Sequence, residues 1–222
     1  MSIFIDLEMN PTDARYRRCR SLPREIIEIG AVRLNSSLEI VDRFDCFIRP
    51  EYNGVVQKDI FRLTGITNGS TASAPALKQA LSDLIEWAGE DSSVIYQWSP
   101  NDRAQLNTEC RAKQIKCPLL DKTTVCWTDL QEEFCSRIGL KGVMSLTAAL
   151  RWMKLPLEGE AHSAVWDAVN SARLLAAVRS EDFDRQLQKT QSCCLSEAPA
   201  AMGGLPPAVR AKLAALLREE AA

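Results

Sequence analysis

The chain is predicted to be an α/β domain, a sheet of mixed strand direction with helices on its faces. Three observations predict it. Two long β-branched and aromatic runs, 25–35 and 38–50, are joined by the short polar stretch NSS, as in a hairpin. After Pro50 the apolar period changes from two to that of a helix. A strand-like run at 93–98 then leads directly into another helical segment, the alternation that builds parallel strand pairs.

Taken in order, SIFIDL at 2–7 reads as a short buried strand, and a polar, arginine-rich segment, NPTDARYRRCRSLPR, follows it. With the hairpin it makes a three-stranded meander. Residues 57–64 form a short helix ending at Gly65. Residues 76–88 carry Leu77, Leu81, Leu84, Ile85 and Ala88 at helical spacing behind Pro75. The helix over 100–113 is expected to take Ser99 or Asn101 as its cap. A further strand is allowed for next, and then helices over 130–138, 145–153 and 163–178. Residues 189–207 are rich in small and breaker residues and read as a linker. Pro207 to Glu220 is an alanine- and leucine-rich helix, docked on the domain or used for a partner. The division is thus one domain over 1–182 and a linker with a C-terminal helix over 183–222.

Composition excludes several classes. With 46% hydrophobic and 25% charged residues the chain is ordinary for a globular domain, and a net charge of −2 requires any nucleic-acid surface to be locally basic. No long apolar run or basic–apolar leader is present, so a cytoplasmic protein with no membrane contact is expected. The eight cysteines include no C-x-x-C pair, and reduced, mostly buried thiols are expected rather than a zinc module. Arg15, Arg17, Arg18, Arg20 and Arg24 either contact phosphates or form a solvated loop.

The chemistry concentrates in acidic residues and one imidazole. His162 is the single histidine of 222 residues and lies five positions before Asp167. Histidine is the side chain whose ordinary pKa lets it exchange a proton near neutrality. Asp6 and Glu8 are two apart on a strand and therefore share a face. Carboxylates about 5 Å apart repel by roughly 3 kcal/mol per pair at an effective dielectric of 20. If Asp6, Glu8 and Asp167 converge, some must hold protons or a hard cation must lie between them. Asp102, opening a helix straight after a strand, is the best fourth member.

IDLE at 5–8, WSPND at 98–102 and HSAVWD at 162–167 together resemble the three motifs of the DnaQ-like 3′–5′ exonucleases with four acidic residues and a histidine. His162, Ala164 and Asp167 fit the third motif. IIEIGAV, FIRPEYN and the LTGI at 63–66 resemble the Eri-type, RNA-trimming branch most, and the likeness spans roughly residues 2–180. The second motif departs from the asparagine- or histidine-then-FD pattern of many relatives; Asp91, Asp121 and Asp129 stand behind Asp102 as alternatives.

The resemblance implies an RNase H-like fold and two-metal hydrolysis of a terminal phosphodiester with two divalent cations, Mg2+ or Mn2+. Asp6 would bridge both ions, Glu8 and Asp167 would complete the first, and Asp102 would hold the second. His162 would take the proton of the attacking water. It also implies terminal-nucleotide contacts from Met9 and from the LTGI segment, hence Leu63, Thr64 and Ile66. Met9 and Ile66 are equally readable as core. Trp98 either stacks on a base or packs at the end of its strand. The expected activity is release of nucleoside 5′-monophosphates from single-stranded RNA or DNA 3′ ends or overhangs, RNA favoured. A DNA-trimming enzyme and a non-catalytic scaffold are the alternatives, and a homodimer is allowed.

Overall fold

The computed structural model describes residues 1–14, 22–89, 93–183, 185 and 187. The C-terminal helix expected over 207–220, Arg15 to Arg20, Asp91, Cys193 and Cys194 lie outside the described residues. The sheet has five strands in the order β3-β2-β1-β4-β5, namely β1 (Ser2–Pro11), β2 (Arg24–Leu34), β3 (Ile40–Phe47), β4 (Val94–Gln97) and β5 (Cys126–Asp129). The first three form the expected antiparallel meander, and β4 and β5 continue the sheet in parallel.

Among the described residues the α-helices are α1 (Lys58–Thr64), α2 (Asn68–Ala72), α3 (Leu77–Ala88), α4 (Asn101–Lys113), α5 (Leu130–Arg137), α6 (Leu146–Trp152) and α7 (Ala164–Val178). Local chemistry sets their ends. Gly65 stops α1 in the left-handed region at φ 71°. Thr67 and Ser70 form a reciprocal capping box on the short α2, an element the sequence reading does not anticipate. Asp129 and Ser145 cap α5 and α6 through their side chains.

Three boundaries depart from expectation. β3 starts at Ile40 instead of 38, because the Asn35 carboxamide accepts the N–H groups of Ser37 and Glu39 and closes a turn through Leu38. β1 runs on to Pro11 instead of stopping at Leu7. Its pairing with β2 continues past a bulge between Glu8 and Met9, and the Asn10 side chain then ties it to Val55 and Gln57. The cap position of α4 falls on Pro100, neither Ser99 nor Asn101; the Gln97 carboxamide oxygen accepts the N–H of Arg103 at 3.0 Å instead.

Period-two alternation splits the apolar residues into two layers. Ile3, Ile5 and Leu7 of β1 pack with α3 and α4, while Phe4 packs on the opposite face with α5, α6 and α7. A buried ion network ties the start of β2 to the end of α4: Lys113 Nζ lies 3.0 Å from Glu25 and 2.8 Å from Glu109. Glu25 also accepts the N–H groups of Glu51, Tyr52 and Asn53, which fixes the loop leading into α1.

Gly30 determines how closely α7 approaches the sheet. A Cβ there would lie 2.0 Å from the backbone of Ala164 and Val165, so any side chain forces the helix outward. Gly30→Ala is expected to destabilise the chain by about 3 kcal/mol, read as a lower urea midpoint. An unchanged midpoint would contradict the close approach.

Candidate active site

Asp6 and Glu8 follow Phe4 on the face of β1 that meets α7. Across the ladder their partners are Gly30 and Glu28, with Phe4 opposite Val32. The glycine opposite Asp6 leaves room for the first turn of α7, and that turn carries Asp167. His162 precedes the helix with φ 62°, a left-handed conformation, and donates its backbone N–H to Asp167 Oδ2 at 3.2 Å. One ligand atom each from Glu8, His162 and Asp167 lie within 4.8 Å of one another.

Asp102 arrives from the other side of β1. The parallel pairing of β1 with β4 ends at Phe4 and Tyr96. Beyond it the strands part, and the N–H of Leu7 is free to donate to the Asp102 carboxylate. This is the crevice at the C-terminal ends of neighbouring strands where open α/β sheets place their sites. The structure therefore brings Asp6, Glu8, Asp102, Asp167 and His162 together from three separate segments. Of the alternatives, Asp121 is in an exposed turn and Asp129 caps α5.

The electrostatics are those of crowded, desolvated acids. Burial holds the Asp6 carboxyl well above its ordinary value, reinforced by Asp102, Asp167 and Glu8. Glu8 is pushed up to about 8 by burial and then by Asp167 and Glu28. Asp102 rises to about 7, again chiefly through burial, although the Leu7 N–H opposes it. Burial raises Asp167 as well, against the pull of His162. Among the described residues no salt bridge involves any of these four acids. An all-oxygen set without a protein cation fits hard divalent ions.

One acidic neighbour escapes the sequence reading. Glu28, opposite Glu8, is 2% exposed and raised to about 7, mainly by burial. The signal was present in the run IIEIG, where a carboxylate interrupts an otherwise apolar buried strand.

A cleft of about 460 Å3 opens beside the acids, lined by Asp6, His162 and Asp167 and also by Trp98, Asn101 and Val143. Of the five candidate substrate residues, Trp98 lines it, although only 8% exposed and packed against Phe134. Met9 is half-buried beside the α3 and α4 layer, and Ile66 is buried with Ile27 and Val56. Thr64 spends its hydroxyl at the end of α1, donating to the Ile60 carbonyl and accepting the Ile66 N–H. Leu63 is 49% exposed.

Comparison with known proteins agrees with this geometry. Residues 3–175 match the exonuclease family RNase_T. The rat (Rattus norvegicus) protein named 3′-5′ exoribonuclease 1 is 30% identical over 174 residues, covering 74% of this chain and 50% of its own length. The chain thus spans about half the length of the curated relatives it matches. The crystallographic structure of the nuclease domain of 3′hExo, a DEDDh family member, bound to rAMP, superposes with a TM-score of 0.68 at 26% identity. It covers 79% of this chain and 90% of that one. A segment of PolC-type DNA polymerase III from Bacillus subtilis is 35% identical over 100 residues, covering 43% of this chain and 7% of its own length. With its RNase H-like DEDDh architecture and a match over most of its length, the chain belongs to the RNase_T exonuclease family.

Proposed function

We propose that the chain is a metal-dependent 3′–5′ exonuclease that trims single-stranded 3′ ends, RNA favoured over DNA, releasing nucleoside 5′-monophosphates. The convergence of four carboxylates and the lone imidazole beside the 460 Å3 cleft carries this reading. The name of the rat relative and the rAMP held by the 3′hExo nuclease domain support the RNA preference.

Asp6, Glu8, Asp102 and Asp167 would hold two divalent cations, Mg2+ or Mn2+. Bound there, such ions neutralise the carboxylates, polarise a phosphoryl oxygen and acidify water. The chain's own groups supply the rest. His162 faces the cleft and accepts the proton of the attacking water, an assignment its position beside Glu8 and Asp167 supports. Trp98, Asn101 and Val143 offer a wall for the terminal nucleoside.

The test is digestion of 5′-labelled RNA and DNA oligonucleotides of the same sequence, with and without chelator. A ladder shortening one nucleotide at a time from the 3′ end, abolished by chelator and faster on RNA, is the expected result. Internal cuts, or chelator-resistant cleavage, would overturn the reaction class. The likeness to part of a PolC-type polymerase favours a second reading, a DNA-trimming enzyme. Faster trimming of the DNA strand would establish it.

A further inference from the structure

Glu28 occupies an unusual place for a buried acid. Helix α7 begins with Ser163 at its cap position, yet the serine side chain makes no capping hydrogen bond to its own helix. Instead the serine hydroxyl donates outward to Glu28 Oε1 at 3.4 Å, and the first helical N–H, that of Ala164, donates to Glu28 Oε2 at 3.2 Å. A carboxylate on a neighbouring strand thus performs the capping that a helix ordinarily finds in its own sequence. It satisfies a donor that would otherwise be orphaned. The Asp45 side chain on β3 hydrogen-bonds Glu28 from the far side.

The placement is specific. Glu28 and Gly30 stand two apart on one face of β2, opposite Glu8 and Asp6 on β1. Gly30 lets the backbone of Ala164 and Val165 come down onto the sheet, and Glu28 grips the same turn through its two oxygens. That same first turn carries Asp167, whose Oδ2 in turn accepts the N–H of His162. β2 therefore registers α7 against β1 at the point where the two halves of the acidic cluster meet.

We infer that Glu28 is a positioning residue, not a ligand: it holds the first turn of α7 so that Asp167 and His162 stand at a fixed separation from Asp6 and Glu8. Ser163 and Ala164 engage the two Glu28 oxygens at the start of α7, Asp45 engages the same carboxyl from β3, and Glu28 is not part of the Glu8, His162 and Asp167 cluster. This inference rests on the metal site proposed above. Residues that orient ligands typically contribute 10- to 100-fold to metal affinity or activity.

The experiment measures Mn2+ binding by calorimetry on the full chain and on Glu28→Gln and Glu28→Ala, with circular dichroism and oligonucleotide kinetics alongside. Glu28→Ala, which strips the cap, is expected to bind Mn2+ about 10- to 100-fold more weakly. Its helical signal should be near native, its kcat lowered and its KM little changed. Glu28→Gln keeps one acceptor for Ala164 and should fall between it and the wild type, and it decides the matter if Glu28→Ala does not fold. Folded variants with wild-type Mn2+ affinity and kcat would overturn the positioning role while leaving the metal site intact. A wild-type chain that binds no Mn2+ would overturn both.

Discussion

Asp6→Asn is expected to melt at a higher temperature than the wild-type chain in chelator, while its turnover falls about a thousandfold or more. Both effects have one cause. The Asp6 carboxyl is buried against Asp102, Asp167 and Glu8 with no balancing cation among the described residues, so the fold carries an electrostatic penalty there. An amide of the same shape removes one charge and relieves the penalty, and it also removes a central oxygen of the proposed ion site. Sites that must bind cations commonly trade stability for activity in this way.

The same argument fixes a pH dependence. Folded-state values of about 8 for Glu8 and about 7 for Asp102 lie above those of the unfolded chain. Between roughly pH 4 and pH 8 the folded state therefore binds more protons than the unfolded one, and stability falls as pH rises. Metal-free wild type should be more stable at pH 5 than at pH 8, with a shallower slope for Asp6→Asn. Thermal melts at both pH values in chelator read this directly. A variant that melts lower than wild type, or a flat profile, would refute the stored repulsion.

His162→Ala is expected to lose about 10²- to 10⁴-fold in turnover while keeping its fold and its Mn2+ affinity. The side chain is exposed at the cleft and contributes nothing to either core layer, so truncation leaves the packing intact. Alanine also inherits the same left-handed backbone at φ 62° without new strain, because histidine already lacks the freedom of glycine there. The backbone N–H that meets Asp167 remains. Mn2+ calorimetry beside single-turnover kinetics separates the two roles open to an imidazole this close to Glu8 and Asp167. A large loss of Mn2+ affinity would make His162 a ligand, and near-native turnover would end its role as base.

The site was legible where chemistry and period coincide. Asp6 and Glu8 on alternate positions of one strand and a lone histidine near an aspartate are local patterns. The strand-then-helix junction at Asp102 is another, and local patterns survive folding. Contacts made across the ladder were not legible. Glu28 meets Glu8 only because of the particular antiparallel register, and that register includes a bulge at Glu8 and Met9 that no local rule dictates. The α4 cap was misread for a similar reason: the Gln97 carboxamide reaches forward to an amide that Ser99 or Asn101 was expected to serve. β5 is only four residues long, between a polar turn and the start of α5, so its pairing with β4 comes from the sheet and not from its composition. Ile66 reads equally as core or as contact in sequence, and its burial beside Ile27 follows from the extra β2 residue at the bulge.

On the proposed function, the crowded acids would also set the order of events. Nucleic acid is a polyanion, and the cleft of the bare protein presents it with the same sign of charge. Divalent ions held by Asp6, Glu8, Asp102 and Asp167 would neutralise that charge, so strand capture would depend on ion supply. On the proposed function, a chain starved of such ions would leave nucleic-acid ends untouched while fully folded.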